Sequence, residues 1–177
     1  PSGVKKDERS LCFVGRLSDE KNLFALLEAV SQTGCSITIV GTGRLEKKLK
    51  SYAEANGIRA IFPGIVANND LPGLLNRHEA FILPSFYEGM PKALLEAMAC
   101  GLTCIGTDVQ GIREVISHRE DGYLCQTDAA SIRDAISEVM DDSPLRARLG
   151  EKARDKILSE FSLTNIAERE MELYRSI

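Results

Sequence analysis

Short apolar runs alternate with longer segments of helical periodicity along most of the chain. The apolar runs predict strands at Leu11–Val14, Ile37–Val40, Ala60–Phe62, Ala80–Leu83, Thr103–Gly106 and Gly122–Leu124. The periodic segments predict helices at Asn22–Gln32, Arg44–Asn56, Leu71–Asn76, Lys92–Cys100, Ile112–Ser117 and Ala129–Met140. The first helix carries one apolar stripe, typical of a helix that packs on a sheet, formed by Leu23, Leu26, Leu27 and Val30.

This alternation predicts an α/β fold, a Rossmann-like three-layer domain with a parallel sheet of about six strands. Two further helices are predicted at Leu145–Glu160 and Leu163–Ser176, with no strand after them. No internal repeat, low-complexity tract or linker divides the 177 residues. We therefore predict one domain over residues 1–177 that ends in C-terminal helices.

Composition narrows the function classes. Hydrophobic residues make up 44 % of the chain and charged residues 27 %, which is ordinary for a globular protein. The net charge of −4 argues against a nucleic-acid partner, because nucleic-acid binders usually carry a basic excess. No stretch approaches the roughly 18–20 apolar residues of a membrane span, and no signal peptide opens the chain. The five cysteines include no Cys-x-x-Cys pair, so we expect reduced thiols in a cytoplasmic protein.

The candidate chemistry begins with two glutamates. Glu88 and Glu96 lie eight residues apart in the run LPSFYEGMPKALLEAMACG, which crosses a predicted strand-to-helix junction. The helix is almost wholly apolar, and an unpaired charge is costly in apolar surroundings, so we expect Glu96 to lie in the core with a dedicated partner. Glu88 precedes Pro91, which suits a first helical position. Two carboxylates flanking a helix N-terminus can hold the two polyols of a nucleotide sugar. The alternative is a surface Glu88, with Glu96 paired to a neighbouring Lys or Arg.

A second group of charged residues follows the first predicted strand, in the turn FVGRLSDEKN. Arg16 and Lys21 are cations near a helix N-terminus, where the helix dipole disfavours them unless an anion is bound. Ser18 or Asp19 is expected to cap that helix. Lys92 repeats the pattern at the start of the helix that carries Glu96. The alternative in each case is a cation that simply faces solvent.

The predicted fold places these residues near one another. Ligands of open parallel sheets bind beyond the carboxyl ends of the strands, at the point where the strand order reverses. Arg16 and Lys21 follow the first strand, and Glu88 and Glu96 follow the fourth. In the order 3-2-1-4-5-6 those two strands flank the switch point, so the four side chains are expected to converge there.

Several other motifs are weaker signals. The glycines of Gly41-Thr-Gly43 follow the second strand, the wrong turn for a dinucleotide fingerprint, and we predict a tight turn whose backbone borders the ligand. His78 and His118 lack a metal-ligand partner at useful spacing and are expected to be structural. No Asp-x-Asp clamp is present, so no metal site is predicted.

Taken together, these segments resemble the C-terminal half of a GT-B glycosyltransferase of the family 4 type. FVGR–EKN, PSFYEGMPKALLEAMACG and GIREVI–DGYL occur in the order that the family uses, and a glutamate pair with seven residues between is its hallmark. The resemblance implies half of a GT-B fold. It also implies transfer of a sugar from a nucleotide-diphosphate sugar, with a UDP-sugar favoured, to an acceptor hydroxyl with retention and without a metal. The segment EGMPKALLEAMACG is similar to the corresponding segment of bacterial enzymes of cell-surface polysaccharide or glycolipid synthesis.

The resemblance also implies roles for individual residues. Arg16 and Lys21 match the pair that binds the donor diphosphate and stabilises it as a leaving group, Glu88 matches the glutamate that faces the donor sugar, and Glu96 the one that holds the ribose. Further donor contacts are implied for Gly15, Gly41, Pro63, Gly64, Ile65, Gly89, Met90, Lys92, Ala93 and Leu94. The segment Phe62–Ile65 matches the one that cradles the nucleotide base. One departure occurs at Gln110-Gly111, where the family often has two glycines.

A GT-B enzyme holds its acceptor on a separate N-terminal domain, which the resemblance implies is missing from this chain. We therefore expect the chain to bind a nucleotide sugar weakly and to turn over little. The full enzyme is expected to be cytoplasmic, with possible peripheral association with the inner face of the membrane. Two alternatives remain open: a GT-B relative such as a nucleotide-sugar epimerase, and a non-catalytic nucleotide-binding module.

Overall fold

The computed structural model describes residues 6–160. The strands are β1 (Ser10–Val14), β2 (Ser36–Val40), β3 (Ala60–Gly64), β4 (Ala80–Leu83), β5 (Thr103–Thr107) and β6 (Tyr123–Cys125). The helices are α1 (Leu23–Ser31), α2 (Glu46–Ala55), α3 (Leu71–Leu75), α4 (Lys92–Ala99), α5 (Gln110–Arg113), α6 (Ala129–Asp141) and α7 (Ser143–Glu160). A short 3-10 turn, Asp19–Lys21, precedes α1. The helix predicted at Leu163–Ser176 lies outside the described residues.

All six strands form one parallel sheet in the order β3-β2-β1-β4-β5-β6. The α/β prediction is therefore confirmed, and so is the expected order 3-2-1-4-5-6. Every residue of β4 and β5 is buried, as expected when helices cover both faces of a parallel sheet. The order reverses between β1 and β4, and this pair is the switch point of the sheet.

The helices pack on the sheet through their apolar stripes. The predicted stripe of α1 is almost completely buried, with 0–1 % exposure, for Leu23, Leu26, Leu27 and Val30. Helix α1 lies beside α6. Helix α4 lies beside α7, which also packs on β5. Among the described residues, none of the helices combines the length and apolar character that a membrane crossing requires.

Two element boundaries differ from the prediction near the candidate site. β3 extends to Gly64, so Phe62 and Pro63 lie inside a strand. A proline is tolerated there because β3 is an edge strand. The helix predicted at Ile112–Ser117 is wrong, because α5 is a four-residue helix that begins earlier, at Gln110.

The helix cap predicted before α1 is also wrong. Neither Ser18 nor Asp19 caps α1: the Ser18 hydroxyl donates to Glu20, and Asp19 forms an ion pair with Arg44. Asn22 immediately precedes α1 in a left-handed conformation, with φ 54°.

The cysteines and histidines have the structural character expected of them. All five thiols are free, and burial raises the pKa of Cys12 and of Cys125 to about 12. His78 is buried, with its ring nitrogens bonded to the Leu74 carbonyl and the Thr38 hydroxyl. His118 Nδ1 accepts a hydrogen bond from the amide of Leu124.

Candidate functional site

A cavity of about 420 Å³ opens at the carboxyl ends of β1 and β4, at the switch point of the sheet. Its walls come from the ends of these two strands, from the loops that follow them and from the first turn of α4. The lining residues are Val14, Gly15, Arg16, Glu20, Lys21, Leu83, Tyr87, Glu88, Gly89, Met90, Pro91, Lys92 and Ala93. The fold thus brings together three of the four charged residues whose convergence was predicted: Arg16, Lys21 and Glu88.

An ion pair joins the two walls of this cavity. Lys21 Nζ lies 2.6 Å from Glu88 Oε1, and the two side chains are only 16 % and 10 % exposed. The walls are also joined through the backbone, because the amide of Phe86 donates to the carbonyl of Glu20 at 2.9 Å. The loop after β1 and the loop after β4 therefore form one connected unit.

Glu88 is also held from beneath by residues that the sequence did not single out. The hydroxyl of Ser85, which is fully buried, donates to Glu88 Oε1 at 2.6 Å. The carbonyl of Ser85 in turn accepts a hydrogen bond from the Thr107 hydroxyl at the end of β5. The contact between Ser85 and Glu88 could have been predicted from the sequence, because the serine lies only three residues before the glutamate. Thr107 lies 22 residues after Ser85, and only the folded sheet brings the two together.

Gly111 supports the same loop by close packing. A Cβ at this position would lie 2.2 Å from the carbonyl oxygen of Glu88 and 2.7 Å from that of Gly89, so only glycine fits. Of the two glycines that the family often has here, the first is replaced by Gln110. This residue is exposed, and its side-chain amide donates to Glu114.

The remaining cations of the cavity are unpaired. Arg16 and Lys92 are exposed, and neither side chain forms a hydrogen bond or ion pair within residues 6–160. The negative charges of the cavity are the carboxylates of Glu88 and Glu20. The pKa of Glu20 is lowered, mainly by the hydrogen bond from Ser18. Three cationic and two anionic side chains therefore line the cavity, and two of the cations are available to an anion.

The start of α4 adds backbone donors to the cavity. The amides of Gly89, Met90 and Ala93 donate to no atom in the described part of the chain, whereas the amide of Lys92 donates to the Met90 carbonyl. Free amides at a helix N-terminus, where the helix dipole is positive, suit an anionic ligand. Leu94 is a correction: its side chain is fully buried and its amide donates to Pro91, so it is a core residue rather than a ligand contact.

Glu96 also differs from the prediction. It is exposed and has no hydrogen-bond or ion-pair partner in residues 6–160, so the expected core position with a dedicated partner is wrong. The buried face of α4 belongs instead to Leu94, Ala97 and Met98. Glu96 lines a second groove, of about 240 Å³, together with Asn68, Leu71, Pro72, Leu75, Ala99 and Cys100.

This second groove adjoins the first cavity. Ala93 lines the cavity and Glu96 lines the groove, and residues three apart on a helix are surface neighbours. The two carboxylates of the sequence motif therefore lie in two adjacent depressions on α4 and the loop before it.

The remaining predicted contacts lie outside both depressions. Gly41 has φ +123°, and a Cβ there would lie 2.0 Å from the carbonyl oxygen of Gly15. Its role is to let the loop after β2 approach the loop after β1, so it acts on the cavity only through Gly15. Pro63, Gly64 and Ile65 lie at the end of the edge strand, where Ile65 is 79 % exposed.

Comparison with known proteins identifies the class of this domain. Residues 1–156 match the family described as glycosyl transferases group 1, and the chain belongs to that family. A curated relative, UDP-Gal:alpha-D-GlcNAc-diphosphoundecaprenol alpha-1,3-galactosyltransferase of Escherichia coli, is 30 % identical over 97 % of this chain and 46 % of its own length. The chain thus spans about half the length of the curated relatives it matches.

Solved structures share the fold. HepE of Anabaena in complex with UDP-glucose has a TM-score of 0.88 at 22 % identity, covering 97 % of this chain and 50 % of that one. The C-terminal domain of a glycosyl transferase group 1 family protein from Francisella tularensis has a TM-score of 0.80 at 22 % identity, covering 90 % of this chain and 89 % of that one. The fold is therefore that of a C-terminal GT-B glycosyltransferase domain, and the epimerase and non-catalytic alternatives are not favoured.

Proposed function

We propose that this chain binds the nucleotide-diphosphate sugar donor of a retaining glycosyltransferase that acts in cell-surface polysaccharide or glycolipid synthesis. The observation that carries the proposal is the cavity at the switch point, where two unpaired cations, an ion-paired lysine and free amides at and just before the start of α4 surround one space. A diphosphate is the part of such a donor that matches this set of positive groups.

The diphosphate binds Arg16, Lys21 and the N-terminus of α4 in this proposal. An arginine can grip phosphate oxygens through two parallel hydrogen bonds, whereas a lysine supplies a compact charge. As the bond to the sugar breaks, negative charge on the diphosphate grows. Fixed cations there stabilise the transition state more than the ground state, which is the requirement for catalysis. These cations supply that stabilisation from the protein alone, so we propose transfer that requires no metal.

Glu88 faces the donor sugar. Its carboxylate is held by Lys21 and Ser85 through one oxygen, Oε1, so the second oxygen is available to accept a hydrogen bond from a sugar hydroxyl. The role supported by this arrangement is orientation of the sugar and electrostatic support of its developing positive charge.

The nucleoside extends from the cavity into the adjacent groove. Glu96 is exposed and unpaired within residues 6–160, so its carboxylate can accept hydrogen bonds from both ribose hydroxyls. The base then lies toward the edge strand, near Pro63–Ile65. A UDP-sugar is the favoured donor, since the Escherichia coli relative is named for UDP-Gal and HepE was solved with UDP-glucose.

The acceptor lies on a second domain in this proposal. The chain spans about half the length of its curated relatives, which leaves room in them for another domain. We expect the chain alone to bind donor weakly and to transfer little. Steady transfer to an added acceptor by the chain alone would contradict this part of the proposal.

Calorimetric titration tests donor binding directly. UDP, GDP and ADP, and one sugar derivative of each, are titrated against the wild-type chain and against Arg16→Ala and Glu96→Ala. One nucleotide series is expected to bind, and each substitution is expected to weaken it about tenfold, the effect of one hydrogen bond to a charged group. Arg133→Ala is the matched control, because Arg133 lies on α6 and lines neither depression. Absence of binding, or unchanged binding by both variants, would overturn the proposal.

A further inference from the structure

We infer that Ser85 is a positioning residue, which fixes the carboxylate of Glu88 in the orientation needed to receive the donor sugar. This inference rests on the proposed function and concerns the same site. It assigns a role to a buried residue that does not line the cavity and would touch neither the sugar nor the diphosphate.

The geometry around Glu88 carries the inference. Ser85 Oγ and Lys21 Nζ both lie 2.6 Å from the same oxygen, Oε1. Oε2 has no partner within residues 6–160, yet no buried side-chain oxygen or nitrogen there lacks one, so Oε2 must be accessible. Glu88 lines the cavity. Two donors on one oxygen therefore fix the plane of the carboxylate and leave the other oxygen free for a ligand hydroxyl.

The two donors differ in how a bound donor would affect them. Lys21 also faces the cavity, so a diphosphate would compete with Glu88 for its ammonium group. Ser85 is neutral and fully buried, and it does not line the cavity. A diphosphate in the cavity would therefore not compete with Glu88 for its hydroxyl group. Once Lys21 turns toward the phosphate, the Ser85 hydroxyl is the contact that still holds Glu88 in place.

Ser85 is itself anchored from the next strand. Its carbonyl accepts a hydrogen bond from Thr107, a fully buried residue at the end of β5. The chain of contacts therefore runs from the sheet through Thr107 and Ser85 to Glu88. Rigid elements hold functional groups more accurately than loops do, and Glu88 would otherwise depend on the exposed loop of Tyr87, Gly89 and Met90.

The test compares two ligands for each variant. With the nucleotide series that binds the wild-type chain, dissociation constants are measured for the nucleoside diphosphate and for its sugar derivative. Ser85→Ala is expected to raise the constant for the nucleotide sugar about tenfold and to leave that for the diphosphate within about twofold. A purely structural role would move both constants alike, or neither.

Three further variants strengthen the comparison. Ser10→Ala is the matched control, because it also removes a hydroxyl from a buried serine, here bonded to the Asp7 carbonyl at the opposite end of β1, and should change neither constant. In a Glu88→Ala background, Ser85→Ala should add no further loss, because coupled residues are not additive. Thr107→Val should weaken nucleotide-sugar binding in the same selective way and Thr107→Ser should restore it, which keeps the test decisive should Ser85→Ala fail to fold.

The possible outcomes separate this inference from the proposed function. Binding of both ligands by the wild-type chain, with equal or absent effects in Ser85→Ala and Thr107→Val, overturns the role of Ser85 alone. Failure of the wild-type chain to bind either ligand overturns the proposed function, and this inference with it. A selective loss for the nucleotide sugar that disappears in the Glu88→Ala background supports both.

Discussion

Substitution of Gly111 by alanine tests whether close backbone packing positions the Glu88 loop. The added Cβ would lie 2.2 Å from the Glu88 carbonyl oxygen and 2.7 Å from both the Glu88 carbonyl carbon and the Gly89 oxygen. To reach an ordinary van der Waals separation, the two segments must move apart by roughly 1 Å. All three neighbours are backbone atoms, so no side chain can rotate away to relieve the contact.

The expected cost follows from this displacement. Overpacking of this kind destabilises a protein by about 1–3 kcal/mol, and about 1 kcal/mol corresponds to a change in Tm of about 2–4 °C for a domain of this size. A binding constellation tolerates a displacement of only about 0.5 Å. Gly111→Ala should therefore lower the free energy of unfolding and also weaken nucleotide-sugar binding more than nucleoside-diphosphate binding.

Gly73→Ala is the matched control. Gly73 also lies in a short helix, α3, but a Cβ there would meet no atom within 4 Å. That substitution should be neutral or stabilise the chain by up to about 1 kcal/mol. Urea unfolding and calorimetry measure the two effects. The reasoning is refuted if Gly111→Ala unfolds at the same urea concentration as wild type and binds the nucleotide sugar equally well.

Three further predictions concern residues away from the candidate site. Lys156→Met removes the charged partner of Asp121, 2.8 Å away with both side chains mostly buried, and leaves that carboxylate only the Ser117 amide as a hydrogen-bond donor within residues 6–160. It should lower the free energy of unfolding by about 1–3 kcal/mol, unlike substitution of an exposed lysine on the same helix. Burial lowers the pKa of His78, so the unfolded state binds more protons. Stability should therefore fall as the pH drops below about 6.5, with a shallower slope in His78→Gln, and equal slopes would contradict this. Burial raises the pKa of Cys12 to about 12 and also raises that of Cys100, but Cys100 is partly exposed whereas Cys12 is fully buried. Iodoacetamide at pH 8 should therefore label Cys100 before Cys12, as mass spectrometry would show.

The sheet and one side of the candidate site could be predicted because they depend on local patterns. The strands are apolar runs buried on both faces, and the alternation with helices dictates parallel pairing. Once the strand order is known, residues that follow β1 and β4 must lie together at the switch point. Arg16, Lys21 and Glu88 are therefore neighbours although Lys21 and Glu88 lie 67 positions apart in the sequence.

The errors arise where a tertiary contact decides the outcome. Apolar residues almost surround Glu96 in sequence, but a helix of eight residues buries only the face that meets the sheet. For this reason Glu96 was predicted to lie in the core, whereas it is exposed, and Leu94 was predicted to contact the donor, whereas its side chain belongs to the buried face. The role of Gly41 depends on the approach of Gly15, and the role of Ser85 depends on Thr107, contacts that only the folded sheet creates.

The arrangement of charges explains how the fold can hold a cluster of cations before any anion binds. A buried unpaired lysine beside a helix N-terminus would destabilise the domain, and Lys21 avoids that cost because Glu88 neutralises it at 2.6 Å. Arg16 and Lys92 need no partner because they are exposed to water. Under the proposed function, an incoming diphosphate first meets these two solvated cations and the free amides at and just before the start of α4, and it competes for Lys21 only at close range. Ser85 then keeps Glu88 aligned, so the site can exchange one ion pair for another without rebuilding its acidic side.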